Sequence, residues 1–374
     1  MRTRARTLAT RRLPSRRLPL LLTAAALTFG MLAAGPASAD TPRSADRHQD
    51  AVDAVDGLMS WWNQDTGAFE STGWWNNAND LQALLDFWQA PGDTGGHDIK
   101  KIAATVYEKN VDAKDGKFRN EYLDDTGWWG LAWLRAYDLT GEKKYLDTAV
   151  ADADHMWKHH DDTCGGGVWW NYDHKYKNSI TNELFITLSA GIHNRLDRDT
   201  TYLGRAQNVW GWFQSKKLIN KDNLINDGLN DACVNTGEST TWTYNQGVIL
   251  GGLVELHKAT GSDAVLAKGR KIADAVAASP LLAPDGILSE PNDDGSDGGA
   301  DGPSFKGAYM RGLSALNRAL PDRPYSGFIQ RQADALNTLD RSGDYYGFHW
   351  NGPFDKADAA RQHSALDALT AALY

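Results

Sequence analysis

Six times along the chain, a polar and aromatic-rich cluster runs straight into an apolar stretch rich in Ala, Gly and Leu. The six are Trp74–Asn79 into Leu81–Trp88, Asp124–Trp129 into Leu131–Leu139, Lys177–Glu183 into Leu184–Leu196, Thr241–Gly247 into Val248–His257, Pro303–Gly307 into Ala308–Leu320 and Ala357–Gln362 into Leu366–Leu373. Marker residues Trp74, Trp128, Asn182, Trp242, Phe305 and Gln362 fall 54, 54, 60, 63 and 57 residues apart. A repeat of that length with hardly any period-2 alternation reads as a helical hairpin, six times over. The second helix class is more charged and plainly amphipathic: Lys144–His159, Thr201–Gln214, Ser262–Ala278 and Pro324–Leu339, with two more near Gln49–Trp61 and His97–Lys109. Short turns such as Thr140–Glu142 and Thr260-Gly261 join the clear cases to the helix before, and glycine just past a helix's last periodic residue is a stop signal.

Six hairpins can stack as an open solenoid or close into a ring. An open array needs polar end caps, yet the last segment ends in an apolar run through Leu373. The expected fold is therefore all-α, an (α/α)6 barrel of six inner and six outer helices forming one domain over residues 50–374. The polar-aromatic clusters all begin inner helices, so they should gather at one rim and line a cleft.

Residues 1–39 read as a secretory signal peptide: seven Arg, an apolar run from Leu18 to about Leu32, then Ala37-Ser38-Ala39 as a small-x-small cleavage site. Export follows as an expectation. Residues 40–49 are polar and read as a flexible arm. Losing the leader's seven arginines takes the formal net charge from −9 to −16. Such a chain repels nucleic acid and anionic lipid and suits a neutral polymer. No later apolar run is long enough to span a bilayer, and nothing suggests more than a monomer. The two cysteines of an exported chain, Cys164 and Cys233, are candidates for a disulfide, with two free thiols as the alternative. No Cys/His spacing suits a metal, His155, His159 and His160 lack a carboxylate partner, and Asp293–Asp297 departs from a calcium loop at its third position. Neither metal nor cofactor is expected.

The chemistry points to Asp124 and Asp125, consecutive carboxyls at the mouth of an apolar helix and beside Trp128-Trp129. Carboxyl pairs do the acid, base and nucleophile work of glycoside hydrolysis, and indole faces stack on sugar rings. The chain holds 15 Trp, more than core packing usually demands. One member of each of the pairs Trp74/Trp75, Trp128/Trp129 and Trp169/Trp170 should line the cleft. The candidate substrate contacts are Trp75, Asn76, Trp128, Trp129, Trp170, Asn182, Glu183, Tyr244, Asn245, Gln246 and Lys306. For Asn182 and Glu183 a helix cap is an equal alternative; Lys306 would bind a hydroxyl, pair with Asp125 or stay solvated.

The stretch DDTGWWGLAWLRAYDLTG (Asp124–Gly141) resembles the signature of glycoside hydrolase family 76, the secreted endo-α-1,6-mannanases. WWNNAND (Trp74–Asp80), GGGVWWN (Gly165–Asn171), KNSITNELF (Lys177–Phe185), TYNQG (Thr243–Gly247) and FKG (Phe305–Gly307) are similar to the family's other segments, in the same order. The resemblance implies the barrel, a mannan or manno-oligosaccharide substrate and retention of anomeric configuration, with Asp124 as nucleophile and Asp125 as acid/base. Retention needs two carboxyls about 5–5.5 Å apart; neighbouring helical residues diverge by about 100°, so a bend is expected at the pair. The family's fungal wall-remodelling members leave transfer rather than hydrolysis open. A non-catalytic glycan-binding protein on this scaffold, or a helical-array interaction protein, are the alternatives outside enzymes.

Overall fold

The computed structural model describes residues 44–235, 240–293 and 298–374. The expected leader, residues 40–43 and Asp294–Asp297 lie outside them. Among the described residues the chain forms twelve α-helices: α1 (Ser44–Met59), α2 (Trp74–Gln89), α3 (Ile99–Asn110), α4 (Leu123–Thr140), α5 (Lys143–Trp157), α6 (Ser179–His193), α7 (Thr201–Ser215), α8 (Thr243–Thr260), α9 (Asp263–Ala277), α10 (Phe305–Ala319), α11 (Ser326–Leu339) and α12 (Ala359–Ala371). Even-numbered helices are the apolar class of the repeat. Each packs on the two nearest even-numbered helices, and α12 packs on α2, so the inner ring is closed. The odd-numbered helices lean on its outside, among them α5 on α4, α7 on α6 and α9 on α8. Gly141 (φ 70°) and Gly261 (φ 69°) end α4 and α8 in the left-handed conformation, where glycine carries no Cβ penalty.

The inner helices run side by side in one direction, Gly127 and Gly130 of α4 facing Leu184 and Leu188 of α6. The tightest approach joins α8 and α10. A Cβ on Gly312 would lie 1.9 Å from the Gly247 carbonyl oxygen, and one on Gly247 would lie 2.2 Å from the Tyr309 Cα. The Gly content of the apolar stretches is thus partly a matter of backbone contact.

All inner-helix N-termini meet at one rim, and four of these helices use their fourth residue in the same way. The Asn77 amide accepts from the Phe69 N–H (2.6 Å) and donates to the Phe69 carbonyl (3.1 Å). Asn182 does this with Val168 (2.8 and 3.0 Å), and Gln246 with Ile225 (2.7 and 3.0 Å). Gln362 accepts from the Tyr346 N–H (3.1 Å) and donates to the carbonyls of Ala54 and Asp344. Each amide satisfies the backbone of the loop arriving from the preceding outer helix, which would otherwise leave buried polar groups unpaired.

Among the described residues three short antiparallel strand pairs decorate the rim loops: the hairpins β1 (Trp62–Asn63) with β2 (Ala68–Phe69) and β5 (Arg341–Ser342) with β6 (Tyr345–Tyr346), and β3 (Tyr176–Asn178) with β4 (Gly228–Asn230), which joins the loop before α6 to the loop after α7. Cys164 and Cys233 are joined in a disulfide that spans 69 residues and ties the loop before β3 to the loop after β4. A bridge of that span is worth on the order of 4 kcal/mol in the chain-entropy account.

The arm expected over residues 40–49 is helical from Ser44 onward. The outer helix expected near Gln49–Trp61 thus starts earlier, its stripe of Ala51, Val52, Val55 and Leu58 preceded by a polar first turn. Its polar residues find partners across the fold: Arg47 pairs with Asp334 of α11 at 3.1 Å, and His48 stacks on Phe87 of α2.

Two glycines of α8 and α10 test the packing. Gly312→Ala is expected to destabilise the protein by about 2 kcal/mol or more, since backbone cannot yield as a side chain can. Gly251→Ala, whose Cβ would meet only the Thr187 Cγ2 at 3.8 Å, should be neutral or stabilising by up to about 1 kcal/mol. Urea denaturation of the two variants reads the difference, and equal effects would contradict the backbone contact.

Candidate active site

The acid pair lies inside the first turn of α4, one residue after its start at Leu123. The expected bend is absent. Tyr122 is the extended residue before the helix (φ −99°, ψ 121°), and Thr126 does not cap it: its hydroxyl donates back to the Tyr122 carbonyl. The strand-like segment 168–171 runs alongside. Leu123 N–H donates to the Trp170 carbonyl at 2.8 Å, and Tyr122 forms an antiparallel bridge with Asn171. That pairing carries the Trp170 indole onto Asp124. The segment is itself held from below by the buried Lys177, whose ammonium donates to the carbonyls of Thr163, Gly166 and Gly167 and to Asp161.

The two carboxyls have different surroundings. Asp124 accepts from the Asp125 N–H (3.0 Å), the Trp170 Nε1 (2.9 Å) and the Asn178 Nδ2 (3.4 Å). Asp125 accepts from the Asn120 Nδ2 at 2.6 Å. Burial, then the Asp125 charge, push Asp124 well above the ordinary carboxyl range, against those hydrogen bonds. Burial pushes Asp125 up to about 7, opposed by the Asn120 hydrogen bond; the Asp301 charge adds to the rise and Lys114 opposes it. Two like charges this close do not both ionise readily. With one proton on the pair, the three donors around Asp124 favour its ionised form and leave the proton on Asp125.

Aromatic walls surround the pair. Trp75 stacks on Trp128 (5.6 Å between ring centroids, 30°), and Phe305 stacks on Tyr244 (4.0 Å, 8°) with Trp242 edge-on at 5.7 Å. Tyr122 leans on Trp170 at 5.3 Å. The Tyr244 phenol is pushed well above its usual range by burial and then by the charges of Asp227, Asp124 and Glu183, which places it among the acids. Asp227 accepts from the Tyr176 hydroxyl at 2.6 Å, with Asn245 buried beside it.

The structure thus brings Trp75, Trp128, Trp170 and Tyr244 to the acid pair, and it takes other candidates away. Trp129 is core, packed on Phe118, Trp74 and Trp133. Asn182 and Gln246 spend their amides on the loop backbones of Val168 and Ile225. Asn76 accepts from the Gly73 N–H and donates to the Ser304 hydroxyl. Glu183 and Asn245 are fully buried; burial, then the Asp227 charge, hold the Glu183 carboxyl well above its usual range. Lys306 is also fully buried, donates to the Phe348 carbonyl at 2.6 Å and lies 3.8 Å from Asp293, so it neither meets Asp125 nor faces solvent. In sequence, a polar residue at a helix start looks the same whether it holds a ligand or a loop. Asn120, Asp227 and Asp301 carry no mark in the sequence reading, and Asn178 and Phe305 figure there only as members of their clusters. Only Asn120, five residues before Asp125, had a local signal.

A cavity of about 390 Å3 lies inside the ring at the opposite end, where the inner helices finish, with Trp128 in its lining. Its charges are mutually satisfied: Arg135 with Asp86 (2.6 Å), Arg195 with Asp138 (2.6 Å) and Arg311 with Asp367 (2.6 Å). The chemistry belongs to the rim with the unlike acids.

The profile of Glycosyl hydrolase family 76 matches residues 47–374. The chain belongs to glycosyl hydrolase family 76. Similar family 76 sequences include a mannan endo-1,6-alpha-mannosidase of Saccharomyces cerevisiae, 28% identical over 79% of this chain and 71% of the yeast protein. Another, of Eremothecium gossypii, is 24% identical over 79% of this chain and 71% of its own length. Among solved structures, an inactive variant of the α-1,6-mannanase of Salegentibacter sp., changed at two consecutive aspartates and in complex with α-1,6-mannotriose, superposes with a TM-score of 0.77 at 24% identity, covering 88% of this chain and 99% of that one. Dfg5 from Chaetomium thermophilum, in complex with glucosamine, gives 0.77 at 20% identity over 89% and 91%. These likenesses show the barrel fold; the family makes the chain a glycoside hydrolase by descent.

Carbon-13 NMR of Asp-labelled protein checks the electrostatics directly. One carboxyl should titrate near pH 7. Its signal should vanish in Asp125→Asn and move to lower pH in Asp124→Asn, where the neighbouring charge is gone. A carboxyl titrating near 4 at position 125 would refute the assignment.

Proposed function

We propose that this family 76 chain is an exported endo-α-1,6-mannanase that cuts the mannan backbone with retention of anomeric configuration. The observation that carries the reading is the unlike pair on the first turn of α4: Asp124 held by three donors, Asp125 with a proton affinity near neutrality. The kinship with fungal mannan endo-1,6-alpha-mannosidases and the mannotriose-bound neighbour with its two replaced aspartates support the substrate and the acids. The Cys164–Cys233 disulfide fits an oxidising compartment outside the cell.

In this reading the Asp124 carboxylate attacks the anomeric carbon while Asp125 gives its proton to the leaving glycosidic oxygen. A covalent mannosyl ester forms on Asp124. Asp125, now ionised, takes a proton from water, which displaces Asp124 and restores the starting states. The indole of Trp170 and the amide of Asn178 favour negative charge on Asp124 before attack and after release. Trp75 offers a face to a mannose ring along the cleft, backed by the buried Trp128. Two carboxyls and a water complete the reaction, so no cofactor is assigned.

Incubation with unbranched α-1,6-mannan should yield oligosaccharides of mixed length, with the α-anomer appearing first by proton NMR. Release of mannose alone, or of the β-anomer first, would overturn the reading. Asp124→Ala and Asp125→Ala should fold normally and lose at least about 1000-fold in turnover on mannan; tight mannan binding with either variant still matching wild type would turn the reading toward a sugar-binding protein.

The pH dependence has a defined sign. The free enzyme needs Asp125 protonated, so kcat/KM should fall as pH rises through about 7. A profile flat to pH 9 would show that Asp125 is not the acid.

A further inference from the structure

Asp301 reaches the cleft wall near the acid, close enough for its charge to act on Asp125. It lies in the loop between α9 and α10, just before a short 3-10 turn (Gly302–Ser304) that leads into Phe305. Its Oδ1 accepts from the Trp75 Nε1 at 2.9 Å. Trp75 in turn stacks on Trp128, one turn beyond Asp125 on α4. The carboxylate is therefore fastened to the cleft wall at one point and directed from there. Asp301 is exposed, and among the described residues no cation lies within ion-pair distance of it. The charged groups that act on Asp125 are Asp124 on its own helix, Asp301 from this loop and Lys114 from the loop before α4. Asn120 contributes a neutral donor.

The arrangement has a use. An acid/base must regain its proton in every cycle in a cleft open to water. A donor such as Asn120 works against this, since it stabilises the ionised form. A fixed like charge works for it. We propose that Asp301 is a positioning residue for the acid/base: held in place by the Trp75 indole, it keeps a negative charge beside Asp125 and so favours the protonated carboxyl that the leaving oxygen needs. This rests on the assignment of Asp125 as the acid given above. The same contact makes Trp75 more than a stacking platform, because the ring that would bear a mannose also sets where the charge sits. The loop carrying Asp301 and the helix carrying Trp75 are far apart in sequence, and only closure of the ring joins them.

Asp301→Asn is the decisive variant. Its side-chain oxygen can still accept from Trp75, so the anchor survives while the charge is lost. The kcat/KM profile on α-1,6-mannan should keep its acid limb and shift its alkaline limb to lower pH by roughly half a unit to one unit. On an aryl α-1,6-mannobioside with a 2,4-dinitrophenolate leaving group, which departs without protonation, the same variant should match wild type at all pH values where the nucleophile is ionised. Trp75→Phe keeps the charge and frees it from its anchor; the alkaline limb should move in the same direction by less, with a raised KM. An Asp301→Asn profile that coincides with wild type overturns the inference, as does a loss of activity that is equal on the two substrates. Asp125→Asn run alongside separates the failures. If it is inactive on mannan while Asp301→Asn is unshifted, only the role of Asp301 falls. If it cleaves mannan like wild type, the acid assignment falls and the role of Asp301 with it.

Discussion

The rim of this barrel is held by buried amides. At the fourth residue of α2, α6, α8 and α12, an Asn or Gln side chain makes paired hydrogen bonds to the backbone of a loop coming up from the outer layer. A side-chain amide is neutral and can give and accept at once in this geometry. Without it the loop N–H and C=O groups would be buried unpaired, at a cost of about 1–3 kcal/mol each. Groups that flank the acid pair hang from those loops. The segment fixed by Asn182 carries Trp170, and the segment fixed by Gln246 leads to Asp227. These loops are fixed twice over, by the short strand pairs at the rim and by the helices they surround.

On that frame the acid pair gains its asymmetry. Within α4 itself only the Asp125 N–H, donated to Asp124, distinguishes the two acids. The rest of the difference comes from the neighbours: Trp170 and Asn178 reach one acid, Asn120 and the field of Asp301 reach the other. Pushing the proton affinities of two carboxyls apart in this way is how one site holds an acid and a nucleophile at the same pH. It also explains why the family's consecutive acids need no kink. Each finds its own partners on its own side of the turn.

Much of this was legible in the sequence, because periodicity reports burial and burial fixes helices. The repeat of polar-aromatic cluster and apolar run located the six inner helices, and the charged stretches between them located the outer six. The acid pair, Trp75, Trp128, Trp170 and Tyr244 could be read for the same reason: acids and indoles at the mouth of an apolar helix have few other uses. What could not be read was the division of labour among buried polar residues. Asn182, Gln246, Asn76, Glu183 and Lys306 looked like sugar ligands and serve the scaffold, since a helix start rich in polar groups is the signature of both roles. Asp227 and Asp301 were invisible for the converse reason. They lie in loops or at strand ends whose meaning depends on which other loop they meet, and that is settled only in three dimensions. The polar opening of α1 was mistaken for an arm because Arg47 and His48 find partners on helices far along the chain.

The seam between α12 and α2 is where the ring closes. There α12 brings His363 to Asp80 and Gln362 to the backbone of Ala54 and Tyr346. Without α12 the first and fifth inner helices would present open flanks to water, and Trp75 and the loop bearing Asp301 would lose their fixed relation to each other. Loss of this one helix would leave a horseshoe in place of a cylinder, with the acids present and the groove beside them unbuilt.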